Sequence, residues 1–163
     1  MENPDIAQIR NFRRLGQATA TGGQPTQHQL ALLAHSGVEV VINLGLANAE
    51  YSLADEKGDV ESLGLTYVHI PVLFQERTSA DLDQFIETLS RHHDRTLFIH
   101  CAQNKRVSAF MALYRILHLG WPRDRAMADL YQVWRPDTVW RRFIAAEIAR
   151  RSTHHRVGPL LRQ

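Results

Sequence analysis

Thr96-Leu97-Phe98-Ile99-His100-Cys101-Ala102-Gln103-Asn104-Lys105-Arg106-Val107-Ser108-Ala109-Phe110-Met111 decides how the rest of the chain is read. Thr96 to His100 offers the β-branched and aromatic residues that pack well in a buried strand. That strand runs straight into the only cysteine of the sequence. A short polar loop ending in Lys105 and Arg106 follows. Val107 to Leu119 is then apolar nearly all round, which predicts a buried helix. Strand, tight loop and helix together aim several backbone N–H groups and a helix N-terminus at one anion. A cysteine at the mouth of such a loop is expected to ionise readily, helped by the fixed charge of Lys105 and Arg106. Cys101 is therefore a candidate nucleophile facing an anionic substrate. A structural thiol would sit among apolar neighbours, whereas His100, Lys105 and Arg106 crowd this one.

Outward from that stretch, the chain alternates strands and helices. Asn11 to Thr21 reads as a first, edge strand, and Gly22-Gly23-Gln24-Pro25 as a loop. Thr26 and Gln29 form a capping box for a helix that closes at Gly37. Val38 to Leu44 is apolar on both faces, as a central parallel strand should be. Asn43 at its carboxyl end either bonds the catalytic loop or starts a turn. Tyr51 to Leu63 reads as a modest helix with acidic residues at Asp55, Glu56, Asp59 and Glu61, most of which should form a solvated face. Leu65 to Pro71 is a strand, and Thr78 with Asp81 opens a helix running to about His92. Past Gly120-Trp121-Pro122, two helices are expected over Arg123–Trp134 and Asp137–Arg151, with Trp134, Trp140 and Phe143 as packing anchors. A loose tail is expected from His154. The alternation implies an α/β fold: a mostly parallel central sheet of four to five strands flanked by helices. Active sites in such sheets lie at the carboxyl ends of the strands.

The 163 residues suit a single domain, with a core over about 12–151 and a tail over 152–163. The apolar fraction of 44% and charged fraction of 22% are those of a globular protein. One cysteine excludes an internal disulfide and fits a reducing compartment. The first ten residues lack a signal pattern, and no apolar run reaches membrane-spanning length, so a cytoplasmic protein is expected. Of 19 basic residues only Lys57 and Lys105 are lysine, and none forms a run with interleaved aromatics, so nucleic acid is not an expected partner. The histidines are scattered, and His92-His93 and His154-His155 lack a plausible set of co-ligands, so no metal or other cofactor is expected.

The central stretch resembles the signature loop of cysteine-dependent phosphatases, His-Cys-x5-Arg-(Ser/Thr). Arg106 falls five residues after Cys101 rather than six, giving Cys-x4-Arg, while Ser108 keeps the place of the phosphatase hydroxyl. Six-residue loops of this kind also resemble those of rhodanese-like sulfurtransferases. Gly-Gln-Pro-Thr at 23–26, Val-Ile-Asn-Leu at 41–44, Tyr-Val-His-Ile-Pro-Val at 67–72 and Asn-x-Arg-Val-Ser-Ala-Phe at 104–110 add to the likeness. Over about residues 12–145 the chain is similar to the bacterial phosphatase-like family related to dual-specificity phosphatases, sometimes fused to β-lactamase-fold hydrolases. The short spacing looks like a trait of that family.

The resemblance implies a dual-specificity-phosphatase-like fold and a hydrolase acting on a phosphorylated protein or small molecule. Cys101 would attack phosphorus and form a thiophosphoryl intermediate. The N–H groups of Ala102, Gln103, Asn104, Lys105 and Arg106, with the Arg106 guanidinium, would bind the phosphoryl oxygens. His100 would orient the loop and help keep Cys101 ionised, or simply fill space at the strand end. Ser108 would ease departure of the sulfur, or back-bond within its helix. Asn104 tolerates φ > 0, which a loop without glycine needs somewhere. The family's general acid is an Asp on the loop after the preceding strand. Here that loop, Val72 to Thr78, has none, leaving Glu76 and then Asp81 as candidates. The alternatives are sulfur transfer through a Cys101 persulfide and a module that binds small anions without turnover.

Overall fold

The structure, a computed structural model, describes residues 4–161, with side chains over 5–151. They fall into two compact units, Met1–Val107 and Ser108–Gln163.

In the first unit five strands form one sheet: β1 (Arg13–Arg14), β2 (Thr19–Gly22), β3 (Val40–Asn43), β4 (Thr66–His69) and β5 (Leu97–His100). Their order is β1-β2-β5-β3-β4. Only the β1–β2 pair is antiparallel, so the expected first strand is a hairpin whose short arm forms the edge. Gly16, with φ 145°, lies between its arms. The central strands β3 and β5 are buried at every residue, as their doubly apolar sequences predict. The register pairs Gly22 with His100, His100 with Asn43, and Asn43 with His69. All four parallel strands therefore end in one row, and the loops leaving them share one rim.

Helices α1 (Gln27–His35), α2 (Glu56–Ser62) and α3 (Ser79–Arg91) belong to this unit. The capping boxes of Thr26 with Gln29 and of Thr78 with Asp81 are both formed. Leu30 and Leu33 of α1 pack with Ile6, Ile9, Ala20, Val41, Val60 and Phe98 in a core of near-zero exposure. One expectation fails at α2. Asp55 caps it through Gly58 N–H, so the helix starts at Glu56 and leaves Tyr51 in a loop.

Helix α4 (Lys105–Leu117) leaves the β5 loop two residues earlier than its apolar run suggests. The second unit takes α4 from Ser108, then α5 (Arg123–Val133) and α6 (Thr138–Leu161). Its aromatic anchors behave as read: Trp140 is fully buried, with Phe110, Trp134 and Phe143 rings 5.9–6.1 Å away. Trp121 lies between the guanidinium groups of Arg115 and Arg125, at 4.2 and 4.1 Å. The expected loose tail is instead helical backbone through Leu161, Gly158 and Pro159 included. Residues 162–163 and the side chains of His154 and His155 lie outside those described. No described helix is long and apolar enough to cross a membrane.

Candidate active site

The loop after β5 is tied from outside by the loop after β2. Gln24 N–H donates to Ala102 O at 3.0 Å, and Cys101 N–H to Gly22 O at 3.4 Å. Asn11 Nδ2 donates to Gln103 O and Asn104 Nδ2 to Asn11 O, both at 2.9 Å, which makes a reciprocal clasp. A trans peptide points its N–H opposite to its C=O. Anchoring the carbonyls of Ala102 and Gln103 therefore turns the N–H groups of Gln103 and Asn104 away from those anchors. The approach is close enough to require a residue without Cβ: one added at Gly23 would lie 2.5 Å from Ala102 O.

Asn104 makes the bend. Its φ of 67° is left-handed, the conformation expected of some residue in a loop that lacks glycine. Its side chain is fully buried and also donates to Thr21 Oγ1 at 3.0 Å. One amide thus sets the backbone and ties the loop to β2.

Cys101, 1% exposed, lines a cavity of about 220 Å³ with Phe74, Ala102, Gln103, Lys105 and Arg106. The Arg106 guanidinium is held by two acceptors, Val72 O at 2.8 Å and the Tyr51 hydroxyl at 3.4 Å. Tyr51 is fixed in turn by Leu46 N–H, 2.9 Å from its oxygen. A planar cation clamped beside a thiol in a concavity is a site for an anion with several oxygens.

Behind the loop, His100 has no exposure. Its Nε2 lies 2.6 Å from Glu56 Oε2 and its Nδ1 3.2 Å from Cys101 O. Gln24 Nε2 donates to the other Glu56 oxygen at 2.6 Å. Burial alone would raise the Glu56 carboxyl, but the bonds and charge of His100, with Gln24 and His69, outweigh it and hold the group below its ordinary value. Tyr67 is pushed up to about 12, chiefly by burial, against a lowering bond from Asn43 and with a raising contribution from Glu56. A second cavity of about 330 Å³ includes Asn43, Glu56, Tyr67 and His69 in its lining.

Among the candidate residues, the structure gathers Cys101, Ala102, Gln103, Lys105 and Arg106 around one cavity. It does not bring Glu76 there: that side chain is exposed, and its backbone N–H donates to Leu73 O. Asp81 is used in capping α3. Asn43 does not bond the loop after β5, because its Oδ1 accepts Gly45 N–H at 2.7 Å to make a turn and its Nδ2 donates to Tyr67. Ser108, at the start of the second unit, accepts from Trp134 Nε1 at 3.2 Å. Among the described residues no group of three or more His, Cys, Asp or Glu is placed to hold a metal.

Asn11, Tyr51 and Glu56 were not marked out by sequence reasoning. A signal existed for Glu56: it lies four residues before the fully buried Val60, on one face of α2. Nothing comparable marks Asn11 or Tyr51, whose partners are 92 and 55 residues away.

The family described as "DSP-PTPase phosphatase fused to NAD+ Kinase" matches residues 8–133. A DUF442 protein from Shewanella putrefaciens CN-32 is 27% identical, with a TM-score of 0.80 over 90% of this chain and 97% of its own. PTPMT1 in complex with PI(5)P is 13% identical, with a TM-score of 0.72 over 88% of this chain and 98% of its own. TpbA of P. aeruginosa in complex with pTyr is 18% identical, with a TM-score of 0.61 over 91% of this chain and 94% of its own. The last two likenesses are of fold. No curated protein matches the chain.

Proposed function

The chain belongs to the family of DSP-PTPase phosphatases fused to NAD+ kinase, and on that premise we propose that it hydrolyses phosphomonoesters through a covalent intermediate on Cys101. It is a phosphatase of the dual-specificity type, a hydrolase. The observation that carries the cysteine mechanism is the single cavity lined by Cys101, its loop and the clamped Arg106.

In this reading the phosphoryl group sits above Cys101, its oxygens bonded by loop N–H groups and by the Arg106 fork. The Cys101 sulfur attacks phosphorus, an S–P bond forms, and the P–O bond to the leaving group breaks with its electron pair. Water then attacks phosphorus, the S–P bond breaks, and inorganic phosphate leaves with the thiolate restored. Arg106 meets the charge on the transferring group in both steps because Val72 O and Tyr51 hold it in place beforehand.

Among the described residues lining the cavity none is a carboxylate. A leaving oxygen that needs a proton finds no carboxylic acid there, so aryl phosphates should be turned over far better than alkyl phosphates. That same lining favours a second reading, sulfur transfer through a Cys101 persulfide, which needs no general acid. The bound phosphate esters of the structural neighbours, pTyr and PI(5)P, support a phosphorylated substrate for this chain. The family match runs through both units to residue 133, which supports treating the chain as one phosphatase-like domain. A nucleophilic thiol with no disulfide partner fits the reducing cytoplasm.

Paired assays test the proposal: an aryl phosphate, and thiosulfate with cyanide, each on the wild type and on Cys101→Ser. Phosphate release abolished in the variant is expected. Thiocyanate formation by the wild type without phosphate release would replace this reading with the second.

A further inference from the structure

Every ring nitrogen of His100 faces an acceptor. Nε2 lies 2.6 Å from a Glu56 oxygen, and Nδ1 lies 3.2 Å from the carbonyl of Cys101. A carboxylate held ionised and a peptide carbonyl have no hydrogen to give. A neutral imidazole carries one N–H and could satisfy only one of them. A ring with hydrogens on both nitrogens satisfies both. Glu56 is itself fixed, since Gln24 Nε2 occupies its other oxygen and α2 starts at Glu56 behind the Asp55 cap.

We propose that Glu56 is a positioning residue: its carboxylate keeps His100 doubly protonated and aims that cation's Nδ1–H at the carbonyl of Cys101. The inference rests on Cys101 being the reactive thiolate of the proposed site. Its consequence is electrostatic. The negative end of the Glu56–His100 pair lies on the side of α2, and the positive end lies on the side of the loop, against the residue that carries the sulfur. The bond to Cys101 O also pins the peptide at which β5 turns into the loop, whose far side is pinned by Gln24 and Asn11. The other titratable groups facing the pair are Tyr67 and His69, both from β4, and the Phe98 ring stacks on His100 at 5.8 Å. Tyr67 bonds Glu56 as well, so it completes the enclosure of the carboxylate.

The readout is alkylation of Cys101, the only thiol of the chain, by iodoacetamide as a function of pH; it needs no phosphatase activity. In Glu56→Gln the amide keeps the size and one hydrogen bond but removes the charge. The half-maximal pH of alkylation should rise by about one unit, with the rate falling about tenfold at pH values below both midpoints. Glu61→Gln removes the same charge from the exposed face of α2 and should leave the profile in place. A profile unchanged in Glu56→Gln would overturn the proposal while leaving Cys101 as nucleophile. A wild-type Cys101 that never alkylates faster than a free thiol would overturn both. Nitrogen-15 NMR of the wild-type imidazoles, with the His100 signals identified by their loss in His100→Asn, reports the same point without destabilising Glu56. Two protonated nitrogens at neutral pH are expected; a single neutral tautomer would overturn the proposal.

Discussion

Replacing Asn104 by glycine and by alanine separates the two tasks that this residue performs. Both variants lose the Nδ2 bonds to Asn11 O at 2.9 Å and Thr21 Oγ1 at 3.0 Å, in a side chain with no exposure. At about 1 kcal/mol per bond, and more where a buried partner is stranded, each variant should lose about 2–3 kcal/mol. Only alanine must also hold a left-handed backbone, φ 67° here, which costs a residue with Cβ about 1–2 kcal/mol. Glycine's greater freedom in the unfolded chain offsets about 0.4–1 kcal/mol of that. Asn104→Ala should therefore be the weaker of the two by roughly 0.5–1 kcal/mol, the reverse of their order in a helix or strand. Urea unfolding followed by circular dichroism measures the gap, and turnover of an aryl phosphate should fall in the same order. An alanine variant as stable as the glycine variant would refute the reasoning, because the loop would then not depend on that backbone conformation.

Other perturbations test neighbouring parts of the account. Arg106→Lys replaces a fork that bonds Val72 O and Tyr51 by a single ammonium, and kcat/KM for an aryl phosphate should fall about 10²–10³-fold in steady-state assays. Gly23→Ala places a methyl group 2.5 Å from Ala102 O, where backbone must move, so it should lower stability by about 1–3 kcal/mol in a thermal melt. The folded-state value of Glu56 is lowered, so its contribution is present above the unfolded carboxylate value of 4.5 and is lost as pH falls through the folded one. Urea midpoints compared between about pH 6 and about pH 3 should therefore drop more steeply in wild type than in Glu56→Gln.

Local chemistry carried most of the fold into the sequence. The two capping boxes, the doubly apolar strands around Val41 and Phe98, and the positive φ at Asn104 all depend on residues within a few positions of one another. Cys101 and Arg106 were legible for the same reason. What escaped was non-local. Glu56 did not stand out from the three other acids of a mostly solvated face because its partner His100 is 44 residues away, and only the β3–β5 pairing and the docking of α2 bring them together. The hairpin of β1 and β2 hid in a weak alternation because its arms are two and four residues long. Asn43 has the residue type and strand-end place of a ligand, yet its side chain closes a turn, a choice between a local bond and a distant one that sequence leaves open.

The central claim is that Cys101 becomes bonded to phosphorus during turnover. Rapid mixing with a phosphorus-32-labelled aryl phosphate, followed by an acid quench and peptide mapping, measures that bond directly. The account predicts label approaching one equivalent on the peptide containing Cys101, and none on Cys101→Ser. Phosphate released by the wild type with no label on Cys101 at any time would contradict it.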